Sequence, residues 1–164
     1  MRTSDVVRNL LRSNLTSYRI GKDTGVGATF IDNYRTHKTK IENMSLEKAE
    51  LLEDYYYNEA IDLIAEKERE EISEYLNNYE KTRSTEMDEK FNMFKSDVSS
   101  IAQEYRKNEA YIYTKKEFLE FIQEQIEEAE DEDIRETIEE EYAEIEEINF
   151  NVVVNTINNH NYFI

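Results

Sequence analysis

The two histidines, His37 and His160, lie far apart and fall into no HExxH or comparable spacing, and the chain has no cysteine. Thiol chemistry and thiolate metal sites are therefore absent from its repertoire. Asp131-x-Asp133 opens like a calcium loop, but the sixth position is Glu136 and the twelfth is Tyr142, where such a loop needs Gly and Glu. Carboxylate pairs such as Glu117 and Glu120 have nothing converging on them to make an acid/base site, and there is no nucleophile motif or phosphate loop. The chain reads as a non-enzyme without cofactor or metal.

What these residue types can do is bind charge. The 164 residues carry a net charge of -18. Residues 1–50 hold 9 Lys+Arg against 6 Asp+Glu, whereas residues 51–164 hold 11 against 32, so a basic head of +3 precedes an acidic body of -21. Like charge repels phosphate, which assigns any nucleic-acid contact to the head. In the body the densest cluster is Glu127, Glu128, Glu130, Asp131, Asp133, Glu136, Glu139 and Glu140, continued by Glu141, Glu144, Glu146 and Glu147. Such a run is either a solvated face or a row of carboxylates that imitates nucleic-acid phosphate and occupies a basic groove.

These charges need rigid elements to position them. Proline is absent, and the three glycines, Gly21, Gly25 and Gly27, all fall in one short stretch, which predicts a mostly helical chain. Ser4 is expected to cap a first helix with Val6, Val7, Leu10 and Leu11 on one face, ending at Asn14-Leu15. Thr16 or Ser17 then caps a short helix to about Thr24. Gly25 supplies the left-handed residue after it, and a third helix runs from Gly27 or Ala28 to Tyr34, with Ile20, Val26 and Ile31 inward. This is a helix-turn-helix pattern. In it Ala28, Thr29, Asp32 and Asn33 face base edges, while Arg19, Lys22, Arg35, Lys38 and Lys40 reach phosphate.

Further on, Ser45 caps a helix with Leu46, Ala49, Leu52 and Tyr56 at helical spacing. A second runs from about Asn58 to Lys81, with Ile61, Ile64, Ala65, Ile72, Tyr75, Leu76 and Tyr79 on one side. The segment KTRST, Lys81 to Thr85, is a linker candidate. Met87, Phe91, Phe94, Val98, Ile101 and Tyr105 step by three and four, a seam for a core or for a second copy of the chain. Tyr111 to Tyr113 suggest a strand, and Thr114 with Glu117 a capping box for a helix burying Phe118, Leu119, Ile122 and Ile126. Another helix from about Asp133 has Ile134, Ile138, Tyr142 and Ile145 inward. Ile148, Phe150, Val152, Val154 and Thr156 alternate with period two, and Asn158 to Asn161 form a turn, so the chain is expected to end in a β-hairpin. The expected fold is mainly α with a small α+β part. It comprises a helix-turn-helix bundle over 1–57, a helical connector over 58–84, and an acidic α+β domain over 85–164.

The run LTSYRIGKDTGVGATFIDNYRTHKTKIENMSLEKAELLEDYY is similar to the Cro/repressor-type helix-turn-helix family, and its later part resembles the N-terminal domain shared by staphylococcal anti-CRISPR proteins that act on type II-A Cas9. The resemblance implies a head that binds inverted repeats in its own promoter as a homodimer formed through the N-terminal half. It also implies a C-terminal domain that inhibits Cas9 or the Cas9–guide RNA complex, by DNA mimicry or by clamping the nuclease domain. A phage transcriptional repressor without Cas9 activity, whose body only dimerises, and an antitoxin neutralising a basic toxin are the alternatives. No apolar run approaches the roughly 18 residues of a membrane span, and MRTSDVVRNL lacks a signal-peptide core, so the expected setting is the cytoplasm of a bacterial host cell.

Overall fold

The computed structural model describes residues 1–79, 81, 91, 95–158 and 160–164. It is mainly helical, with a small three-stranded antiparallel sheet, and divides into two units, Met1–Lys67 and Glu68–Ile164. The boundary falls inside the helix expected as a connector.

The first unit is built from α1 (Thr3–Arg12), α2 (Ser17–Thr24), α3 (Ala28–Arg35), a 3-10 turn (Ile41–Asn43), α4 (Leu46–Tyr55) and a π-helical turn (Tyr56–Ala60) that leads into α5 (Ile61–Asn78). Val7, Leu10, Ile20, Ile31, Leu52, Ala60 and Ile64 form its core. Ser4 is not the cap of α1: the helix starts at Thr3, two residues earlier than a Ser4 cap would place it, and Arg2 precedes it without a side-chain bond. Thr16 and Ser45 do cap α2 and α4, accepting from the amides of Arg19 and Lys48. Leu46 is 71% exposed, because the first turn of α4 projects beyond the core. The expected helix start at Asn58 falls inside the π turn, and Ile61 is exposed just after it.

The second unit contains the remainder of α5, then α6 (Val98–Arg106), β1 (Ala110–Thr114), α7 (Lys115–Glu128), α8 (Glu132–Glu147), β2 (Val152–Thr156) and β3 (Asn161–Phe163). The sheet order is β1-β2-β3, with Ile112 opposite Val154 and Val154 opposite Tyr162. Period two fails in β2, where Val152, Val153 and Val154 are all fully buried. The reason is that β2 is the middle strand of three layers. Val152 and Val154 pack with Ile72, Leu76, Val98 and Ile101 on one face, and Val153 with Phe118, Ile122 and Ile145 on the other.

The seam is thus used in a core: Phe91, Val98 and Ile101 are buried against the sheet, while Met87 and Phe94, like most of the KTRST segment and Asn159 of the expected turn, lie outside the described residues. Asn161 belongs to β3 rather than to the turn. Ile134, expected inward, is 57% exposed, since the apolar contacts of α8 with the core are made further along, by Ile138, Tyr142 and Ile145. Among the described residues no helix is long and apolar enough to cross a membrane.

Candidate nucleic-acid interface and acidic face

The turn between α2 and α3 depends on glycine at three positions for two reasons. Gly25 (φ +75°) and Gly27 (φ +89°) occupy backbone conformations that side chains disfavour. Gly21 sits within α2, and its carbonyl accepts from the Gly27 amide at 3.3 Å. A Cβ added there would lie 2.4 Å from the Ala28 nitrogen, so the absent side chain is what lets α3 start against α2. Thr24 Oγ1 donates to the Ile20 carbonyl, and Ile20, Ile31 and Tyr34 are buried beneath the turn.

On α3, Thr29 and Asp32 are exposed and Ala28 and Asn33 half-buried. No side chain caps the helix at Gly27, which leaves its first-turn amides without acceptors of their own. Lys22, Lys38 and Lys40 are exposed. Of the two arginines expected to reach phosphate, Arg19 is exposed and Arg35 is half-buried. Arg19 pairs with Asp23, whose carboxylate also accepts from the Tyr55 hydroxyl at 3.0 Å. Arg35 turns inward, donating to the Leu15 carbonyl at 2.7 Å and to Ser17 Oγ at 3.2 Å, and so ties the end of α3 to the start of α2. Burial draws the Arg35 pKa below its ordinary value. Sequence spacing carried no signal for these links, which join residues 18 to 32 positions apart.

The Arg19 hydrogen bond holds the Asp23 carboxyl below the usual range, and burial, helped by Asp23, pushes the Tyr55 phenol up to about 12. Because the folded phenol is harder to ionise than an unfolded one, its contribution to stability is complete below pH ~10 and is lost as pH rises through about 12. We expect Tyr55 to be among the last tyrosines to ionise in a spectrophotometric titration, and Tyr55→Phe to flatten the loss of stability over that interval. An unchanged alkaline profile in the variant would contradict the Tyr55–Asp23 link.

In the second unit the acidic cluster spans the end of α7, the connecting segment and α8. Glu127, Glu128, Glu130, Asp131, Asp133, Glu136, Glu139 and Glu140 are all exposed. Among the described residues none of them is in an ion pair. Asp131 has a structural task as well, capping α8 by accepting from the amides of Asp133 and Ile134. Lys115 Nζ donates to the carbonyls of Glu146 and Ile148, placing a cation at the negative end of α8. The base of α7 is fixed by the Thr114–Glu117 capping box and by Arg69, which pairs with Glu117. Burial favours the protonated Glu117 carboxyl, but the Arg69 and Thr114 hydrogen bonds outweigh it and its pKa is lowered.

The α8 sequence EDIRETIEEEYAEIEE carries nine carboxylates in 16 residues. At a helical rise of about 1.5 Å per residue this is one negative charge per ~2.7 Å. Duplex DNA has one per roughly 1.7 Å of axis and a single strand one per about 3.4 Å, so α8 falls between them. Among the described residues no group of His, Cys, Asp and Glu is arranged to hold a metal ion. No protein-family model, curated protein or solved structure matches this chain at a significant level.

Proposed function

We propose that the protein is a bifunctional anti-CRISPR inhibitor acting in the cytoplasm of a bacterial host. Its first unit binds inverted repeats in its own promoter as a homodimer and represses transcription. Its acidic second unit binds Cas9, or the Cas9–guide RNA complex, on a surface built to hold nucleic acid. The naming of Cas9 rests on the sequence resemblance. The observation that carries the charge-based part is α8, a rigid row of nine carboxylates at nucleic-acid charge density. Mimicry is the form of inhibition this density supports, because a basic channel that recognises backbone geometry accepts an equivalent row of anions.

The DNA-binding part is supported by the glycine-dependent turn, the exposed Thr29 and Asp32, and the uncapped start of α3, where backbone amides can meet phosphate. A repressor whose body serves only to dimerise through the Met87 to Tyr105 seam is disfavoured, since Phe91, Val98 and Ile101 are already packed against the sheet.

Two assays on the full-length protein test the halves separately. Added to guide-loaded type II-A Cas9, it should stop cleavage of target DNA, with an affinity that falls steeply as salt rises. Undiminished cleavage at saturating protein would remove the inhibitor reading. In a mobility-shift assay with its own promoter, Asn33→Ala should relax sequence preference by about 1–3 kcal/mol, whereas Lys38→Ala should weaken binding to all sequences alike and reduce the salt slope by about one. The reverse pattern would mean that α3 is not the reading helix.

A further inference from the structure

A cavity of about 290 Å³ lies in the first unit between α1, the end of α3 and the loop after it, and the charged residues of its lining are mostly cationic. Arg8, Arg12, Arg35, His37 and Lys40 all contribute, against one carboxylate, Glu42. That carboxylate is already matched, because Arg8 pairs with it at 3.0 Å and with Asp5 at 3.4 Å. Arg12, Arg35 and Lys40 therefore remain, and among the described residues none of the three is in an ion pair. Gathering unmatched cations around one cavity is electrostatically unfavourable in the absence of an anion.

Two independent features mark the same place. The Nε of Arg35 is buried with no hydrogen-bond acceptor, while its two terminal nitrogens are occupied by Ser17 and Leu15. Left unmade, such a bond is costly, and it keeps an incompletely satisfied guanidinium in the wall of the cavity. His37, at the rim, has φ +58°, the left-handed region that favours glycine, and is held there by its amide bonding the Tyr34 carbonyl. A bulky residue kept in that conformation beside a cavity is a mark of a functional site.

We infer that this cavity is a phosphate-binding site, with Arg12, Arg35 and Lys40 as its charged contacts and His37 closing the rim. Arginine forks and a lysine point charge are the donors suited to a phosphate group. The phosphate has two possible sources, a DNA backbone or a small phosphorylated molecule. The site stands independently of the promoter-binding reading, since its chemistry is the same for either source.

The test uses the intact chain and pyrophosphate as the probe, titrated by calorimetry at constant ionic strength. Saturable one-to-one binding is expected, weakened about tenfold or more by Arg12→Gln and by Lys40→Gln and unaffected by Lys107→Gln on the second unit. Circular dichroism checks that each variant remains folded; these side chains are exposed, so the fold should survive. No saturable binding below about 10 mM, or equal affinity in wild type and both glutamine variants, would overturn the site. A competition arm with promoter DNA then separates the sources. Displacement of DNA in step with pyrophosphate occupancy supports a backbone phosphate, whereas simultaneous binding supports a free phosphorylated ligand. Absence of any DNA shift, with pyrophosphate binding intact, would count against promoter binding and leave the pocket standing.

Discussion

Gly21→Ala is expected to destabilise the N-terminal unit by about 3 kcal/mol and to abolish DNA binding. For a unit of this size that is a fall in melting temperature of about 10–20 °C by circular dichroism. The sign is informative, because the same substitution in an ordinary helix interior stabilises by up to about 1 kcal/mol. Here the new methyl would meet backbone, the Ala28 nitrogen and the Gly27 carbonyl carbon, and backbone cannot rotate aside as a side chain can. The start of α3 would have to move away from α2, breaking the Gly27 to Gly21 bond and shifting Thr29 and Asp32 together. A variant that melts at or above the wild-type temperature would show that this close approach does not hold the turn.

Val153→Asp is the change we expect to disrupt the second unit most. Val153 is fully buried among Phe118, Ile122, Ile126 and Phe150, and a carboxylate there would have to be desolvated or protonated, at a cost of several kcal/mol. The sheet should lose its cooperative unfolding transition. Tyr111→Asp, on the exposed part of β1, serves as the comparison and should change stability by no more than about 0.5 kcal/mol. Equal behaviour of the two variants would contradict the assignment of β2 as a strand covered on both faces.

Features written in neighbouring residues were legible before any coordinates. The Thr114–Glu117 capping box, the Ser45 and Thr16 caps and the left-handed Gly25 each depend on contacts within four positions, and each is present. The mainly helical character with a small terminal sheet followed from the same kind of signal. What eluded the sequence was decided by layers. Alternation in Val152 to Thr156 suggested one wet face, but a strand covered by helices on both sides has none, and Val153 is buried with its neighbours. Ile134 fits the helical period of α8, yet the helix extends past its partners there and the residue is exposed.

The site followed the same division. The extent of α3 and the exposure of Thr29 and Asp32 on it could be read by position, because a short helix after a glycine turn leaves few choices. The Arg35 position could not, since a guanidinium will turn inward only where carbonyls such as that of Leu15 have been brought within reach by the fold. Its inward turn also explains why the cationic cavity had no linear signature: α1, α3 and the following loop each contribute part of the lining.

The π turn at Tyr56–Ala60 bears on how this chain can change length. The buried positions on its path are Leu52, Tyr55, Ala60 and Ile64, and the step from Tyr55 to Ala60 is five, not three or four. A helix wound at about 3.6 residues per turn cannot keep residues five apart on one side, so the wide turn absorbs one surplus residue. Deleting a single residue there would restore ordinary winding and leave Ile64 on nearly the same side as Leu52, whereas inserting a further residue would rotate it by about 100°. Insertion and deletion at this point are therefore unequal: the wide turn has already taken up one residue, so the core downstream tolerates its loss but not a second gain.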